Sequence, residues 1–285
     1  MQNMHYGVVI PARNEERNIK ETILSLQHQF VKPYLIIVVD DSSVDKTPDI
    51  ARSLDTIVIE LKRKCQAPAT GTSYMAYIIN KGLEILEKEP IDYVMISGAD
   101  CIYPRKYAAE IIHRMMIDDV VLASGVAEGE YTSSLSVRGA GRFINSNWFR
   151  SIGFRYPLNY GFETWLIYKA LSQGYRVKVY RDLMFKLRRK TSMSSRKALL
   201  YGRAMKALGY TPFYALARII RTCFIHSFND AKYMLIGYLR WRGKSYDDIK
   251  DFVRYLQIRW LPLYIKRIFK AAPYKMLMHG SRSIS

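Results

Sequence analysis

The chain is predicted to be an α/β protein, a mostly parallel sheet flanked by helices and followed by a basic, aromatic-rich helical region. Three observations predict this. Short, continuously apolar runs alternate with helical patterns through the first two thirds of the chain, as in βαβ units with both sheet faces covered. The runs close on polar, partly acidic turns, where open sheets of this kind bind ligands. Charge then divides the chain: of the formal net +19, residues 1–180 hold 21 Lys+Arg against 20 Asp+Glu, and residues 181–285 hold 23 against 5.

The elements follow in order. "YGVVIPARNEE" predicts a short strand over residues 7–10, stopped by Pro11. In "ERNIKETILSLQHQF", Ile19, Ile23, Leu24 and Leu26 fall near helical spacing. "YLIIVVDDSSVDKT" predicts a second buried strand over residues 35–39, breaking into an Asp/Ser turn. Thr47 is expected to cap the next helix, with Pro48 at its first position. "DTIVIEL" is the third strand, "SYMAYIINKGLEILEKE" a long helix and "DYVMISGAD" the fourth strand. "PRKYAAEIIHRMM" is a helix opening on Pro104, and "DVVLASGVA" the fifth strand. From about Arg181 the pattern reads as helical, basic and aromatic. Val253, Leu256, Trp260, Leu263, Ile265 and Ile268 share roughly one side, away from Arg254, Arg259, Lys266 and Arg267, and Pro262 bends or breaks that helix. The expected division is a first domain over 1–212 and a basic amphipathic region over 213–285.

Composition excludes several classes. Cys65, Cys101 and Cys223 are far apart and the five histidines are scattered, which argues against a disulfide scaffold or zinc module and fits a reducing setting. "MQNMHYGVVIPARNEE" lacks the apolar region of a signal peptide. The longest apolar candidate, residues 224–239, contains Asp230 and Lys232, so no spanning helix is expected.

"VVIPARNEERNI", then "IIVVDDSSVDKT", then an Asp-ended strand followed by proline, resembles the family 2 glycosyltransferases with a GT-A fold. The resemblance covers roughly residues 5–180 and weakens toward 212. It implies that the turns around Pro11, Ala12, Asn14 and Glu15, and around Asp40 and Asp41, enclose the nucleotide of a UDP- or GDP-sugar. The residue chemistry agrees: Asn14 and Glu15 offer groups that read a base edge or ribose, and Asp41 accepts from ribose hydroxyls or a base N–H. Asp45 and Thr47 read as turn and cap residues, and an Asx turn remains the other reading of Asp40 and Asp41. Asn80 in "NKG" resembles a nucleotide-lining position, with helix packing as its alternative.

The family usually supplies an Asp-x-Asp where this chain has Gly98, Ala99 and Asp100. The resemblance implies that Gly98, Ala99 and Asp100 bind the nucleotide sugar and that Asp100 binds Mg²⁺ or Mn²⁺ beside the donor diphosphate, since one carboxylate can suffice for a cation that keeps several waters. An N-cap before the Pro104 helix is the other reading of Asp100. "FET" and "GYRV" occupy the places of the family's acidic helix start and later Gly-Tyr-Arg, which makes Glu163 the candidate general base of an inverting transfer. Phe162 stands where the first acid would be, and Glu163 also suits a helix N-terminus. Lys186, Arg188, Arg189 and Arg203 are candidates for diphosphate or acceptor phosphate.

The basic C-terminal third calls for an anionic partner. No nucleic-acid module is recognisable. Basic residues interleaved with Trp241, Trp260, Tyr255, Tyr264 and Phe269 suit helices in the headgroup layer of an anionic membrane. The expectation is a metal-dependent transferase, peripheral on the cytoplasmic side of a membrane, acting on a lipid-linked or glycan acceptor. Its rivals are a polyprenyl-phosphate sugar synthase on the same fold and a degenerate relative that binds without catalysis.

Overall fold

The computed structural model describes residues 4–63, 67–130, 137, 139–189 and 192–262. Cys65 and the expected helical positions Leu263, Tyr264, Ile265, Lys266, Arg267, Ile268 and Phe269 lie outside the described residues.

Among the described residues, eight strands form one mixed sheet: β1 (Tyr6–Ala12), β2 (Leu35–Asp41), β3 (Ile57–Leu61), β4 (Tyr93–Ile96), β5 (Cys101–Ile102), β6 (Val120–Ala127), β7 (Arg142–Asn145) and β8 (Arg176–Leu187). Their order is β3-β2-β1-β4-β7-β6-β8-β5. The pairs β1–β2, β1–β4, β2–β3 and β6–β8 are parallel, whereas β7 runs antiparallel to both neighbours and β5 antiparallel to β8. The helices are α1 (Ile19–Gln27), α2 (Thr47–Arg52), α3 (Ser73–Leu86), α4 (Tyr107–Asp118), α5 (Ser146–Ser151), α6 (Phe162–Ser172), α7 (Ser195–Ala207), α8 (Pro212–Ile225) and α9 (Phe228–Arg240). Residues 250–262 are helical as well.

Two strand readings change. β1 does not stop at Pro11 but runs through it to Ala12, with Pro11 in register with Val39. Val9 accepts a hydrogen bond from Ser97 N–H, so Val9 and Pro11 turn their polar groups toward β4, whose ladder ends at Val9 and Ile96. Proline therefore removes no ladder donor there. The stretch around Arg181 is strand, not helix: β8 buries Leu183 and Phe185 and exposes Asp182, Met184 and Lys186, a period of two. Helix begins only at α7, where the Ser194 side chain accepts from Lys197 N–H as the N-cap.

The chain forms two compact units. The first takes residues 1–70, 74–158 and 173–190, and so holds the whole sheet; the second takes 71–73, 159–172 and 191–285. A division at 212 instead assigns α6 and α7 to the first domain.

Within the first unit, α1 buries Ile19, Ile23 and Leu26 in one core with Tyr6, Val8 and Ile10 of β1. Gly82 sets the approach of α3, because a Cβ there would stand 2.6 Å from Val9 Cγ1 and 3.2 Å from Val39 Cγ2. Within the second unit, α7 and α9 meet backbone to backbone. A Cβ on Gly202 would lie 2.0 Å from the Met234 carbonyl oxygen, and one on Gly237 would lie 2.0 Å from that of Leu199. A carbonyl in a helix cannot step aside as a side chain can. Gly202→Val is expected to destabilise the chain by about 3 kcal/mol, the upper end of ordinary overpacking, read as a lowered urea midpoint at unchanged slope; an unchanged midpoint would refute the close crossing.

Candidate functional site

The turns after β1 and β2 are laced together. Asn14 N–H donates to Ser43 Oγ at 2.9 Å, and Val44 N–H returns a bond to Asn14 Oδ1 at 2.9 Å. Glu15 N–H donates to Thr47 Oγ1 at 2.7 Å, Glu16 N–H to Asp45 Oδ2 at 3.1 Å, and Lys46 N–H to Glu16 Oε2 at 3.3 Å. Asn14 has φ of 52°, a left-handed conformation that asparagine tolerates better than most residues. Thr47 lies inside α2 rather than at its cap, and its hydroxyl serves the other turn. Asp45 holds the turn as expected, accepting from Thr47 N–H at 3.0 Å.

Beside this lacing lies a cavity of about 520 Å³, lined by Pro11, Ala12, Asn14, Glu15 and Asp41 together with Arg13, Pro68, Ala69, Thr70, Met75, Ile78 and Arg189. Asp41 is buried, its Oδ2 2.7 Å from Arg63 Nη2 and 3.9 Å from Arg13 Nη1. Its Oδ1 accepts no hydrogen bond among the described residues. Burial raises the Asp41 pKa above the ordinary 3.8, while the Arg13 charge and the Tyr74 hydroxyl pull it back. Arg63 lies over the Tyr74 ring, which stacks on Tyr77 at 5.5 Å.

Other expected residues have different tasks. Asp40 is committed to the turn, accepting from Ser43 N–H at 2.9 Å, so the Asx reading holds for it. Asn80 does not line the cavity; its amide donates to Tyr156 O and accepts from Tyr156 N–H, both at 2.8 Å. Ala99 offers its carbonyl to Thr22 Oγ1. Asp100 is no helix cap, since α4 begins at Tyr107 after Lys106. Lys186 is exposed on β8, and Arg188 pairs with Glu21. Arg203 donates to Tyr160 OH at 2.9 Å in the second unit. Glu163 sits exposed in the first turn of α6, and Phe162 beside it is buried.

Arg189 joins two of the expected acids. Its Nε donates to Asp100 Oδ2 at 3.1 Å and its Nη2 pairs with Glu15, whose other oxygen accepts from Asn18 at 2.8 Å. Among the described residues no three metal-ligating side chains converge. A first acid cannot simply be restored, because a Cβ on Gly98 would stand 2.9 Å from Cys101 Sγ. Asp100 Oδ2 is paired with Arg189 at 3.1 Å, and a single carboxylate of this kind could hold a hard divalent cation only together with phosphate oxygens and water. Arg13, Arg63 and Tyr74 escaped the sequence reading; the available signal was that an acid buried as deeply as Asp41 requires a counter-charge.

The model of the family "Glycosyl transferase family 2" matches residues 7–184. The chain belongs to glycosyl transferase family 2. A low-salt glycan biosynthesis hexosyltransferase, Agl6, of Haloferax volcanii is 33% identical over 127 residues, covering 44% of this chain and 28% of that protein. A 4,4'-diaponeurosporenoate glycosyltransferase of Staphylococcus aureus is 32% identical over 105 residues, covering 37% and 26%. The matches thus span little more than a quarter of these curated relatives. Among solved structures, the mannosyltransferase PcManGT of Pyrobaculum calidifontis, in complex with GDP-Man and Mn²⁺, superposes with a TM-score of 0.55 at 15% identity over 94% of this chain and 84% of its own. TarS 1-349 of S. aureus, in complex with UDP-GlcNAc, gives 0.52 at 14% identity over 83% and 72%. These likenesses establish the GT-A fold.

The lacing has a pH signature. Burial alone would raise the Asp45 pKa, but hydrogen bonds from Thr47 and Glu16 outweigh it and hold it below 3.8. The stabilising contribution of Asp45 is therefore present above the ordinary carboxylate range and is lost as pH falls through the lowered value. Asp45→Asn is expected to be less stable than the parent at pH 7, with the deficit shrinking toward pH 3 in paired denaturation curves. A deficit independent of pH would show that the charge of Asp45 is not what holds the turn.

Proposed function

We propose that this chain transfers a sugar from a nucleotide-diphosphate sugar to a lipid-linked or glycan acceptor at a membrane surface, with inversion at the anomeric carbon. The observation that carries the reading is the unsatisfied Asp41 Oδ1, buried at a cavity with apolar walls at Pro11, Ala69, Met75 and Ile78. A buried acceptor without a donor is costly, and a ligand N–H removes the cost. The volume of about 520 Å³ is in the range of small-molecule sites.

The hydrogen-bond pattern favours uridine over guanosine. Uracil presents one N–H between two carbonyl oxygens, which matches a carboxylate with one open oxygen whose other oxygen is paired with Arg63 and faces Arg13. Guanine presents two adjacent N–H donors and asks for both oxygens of a carboxylate, but Asp41 Oδ2 is held by Arg63 at 2.7 Å. Asp100 would hold the divalent cation with the donor diphosphate, and that cation supplies charge neutralisation of the departing group. Arg189 bears a second positive charge beside the same carboxylates. Glu163 is assigned the acceptor proton. As the acceptor oxygen bonds to the anomeric carbon, the bond to the diphosphate breaks and its electron pair leaves with the nucleoside diphosphate.

Thermal-shift titration is expected to show UDP binding at least about tenfold tighter than GDP, with Asp41→Ala removing the difference. Equal affinities would refute the uracil assignment. Asp100→Asn should abolish any added stabilisation by Mn²⁺ while leaving UDP binding alone intact. Glu163→Gln is expected to lower kcat by about 10²–10⁴-fold with little change in donor affinity; full activity would remove Glu163 from the proton transfer.

A further inference from the structure

We propose that the outward faces of α8 and α9 form the surface by which this chain enters the headgroup layer of an anionic lipid membrane. The inference rests on the membrane-surface reading above and names the residues that carry it.

Both helices are apolar on two sides. α8 buries Tyr214, Ala215, Ala217 and Ile219, yet its outward face presents Phe213, Leu216 and Ile220 at steps of three and four, exposed by 79%, 50% and 39%. α9 buries Ala231, Met234, Gly237 and Tyr238, and presents Phe228, Leu235 and Leu239, exposed by 75%, 38% and 57%. A helix at the surface of a soluble domain turns charged and polar residues outward. Contiguous exposed apolar side chains mark an interaction surface instead.

Charge selects the partner. Lys232 falls on the α9 stripe between Phe228 and Leu235, and Arg240, Arg242 and Lys244 follow at its end; all four are exposed. Asp230 is the one acid in residues 212–246, and it is tied to Ser227 at the start of α9. A second copy docking through the same patch would set cations against cations, whereas anionic headgroups complement them. Lys232 has the aliphatic length to bury its stem beside the stripe and keep its ammonium among phosphates. Trp241, at the end of α9, suits the interfacial layer. No described helix is long and apolar enough to cross a membrane, so the contact lies in the plane of the interface.

The test is flotation of the full chain with phosphatidylcholine vesicles, with and without about one third phosphatidylglycerol to supply anionic charge. The expected result is binding to the anionic vesicles only. Combined Phe213→Ser, Phe228→Ser and Leu239→Ser substitutions should weaken it at least about tenfold, with unchanged Tm and unchanged UDP-induced stabilisation. Combined Lys232→Glu, Arg240→Glu and Arg242→Glu should also release the chain. If the parent fails to bind, the membrane reading itself falls. If the parent binds and the serine variant binds equally well, this surface is refuted while the membrane reading stands. A large drop in Tm of the serine variant, or a parent dimer that it converts to monomer, would show the stripe covered by protein and overturn the inference.

Discussion

The lacing of the two turns after β1 and β2 is the constraint on which the rest of the site depends. Strand pairing brings Ala12 beside Asp40, but it leaves the following loops free to diverge. Side-chain oxygens of Ser43, Asp45, Thr47, Asn14 and Glu16 then satisfy backbone N–H groups of the opposite turn. Each turn supplies both donors and acceptors to the other, so neither conformation stands alone. The cavity wall from Pro11 to Glu15 is consequently tied to the sheet edge that carries it.

Electrostatics builds on that frame. The acids at the sheet edge have separate tasks because their partners differ: Asp40 is taken up by Ser43, Asp41 is balanced by Arg63 and Arg13, and Glu15 shares Arg189 with Asp100. Asp40 and Asp41 thus face different groups, while Glu15 and Asp100 share one counter-charge, and both arrangements limit mutual repulsion. Asp41 keeps one oxygen without a hydrogen-bond partner among the described residues. A Cβ at Gly98 would come within 2.9 Å of Cys101 Sγ, so a side chain there would require Cys101 to shift.

The second unit follows a different logic. Its helices α7 and α9 are joined where Gly202 and Gly237 let the backbones touch. With side chains removed from that crossing, α9 can bury Ala231, Met234 and Tyr238 on one face and still carry large apolar groups on the other.

Much of this was legible in the chain itself. Apolar runs set the positions of β1, β2, β3, β4 and β6, and "PARNEE" with "DDSSVDKT" identified the turns of the site, because strand period and turn chemistry are local properties. β5 and β7 have only two and four residues, too few to show a period, and the strand that the resemblance implies after Gly-Tyr-Arg, β8, continues past Arg181 into the stretch whose basic composition reads as helical. Sequence by itself determined which acids lie at the sheet edge. Only the tertiary structure decided their roles, since Arg63 and Arg189 reach Asp41, Glu15 and Asp100 across 22 to 174 positions of chain. Which carboxylate keeps an open oxygen is settled by those long-range pairs, and no local pattern encodes them.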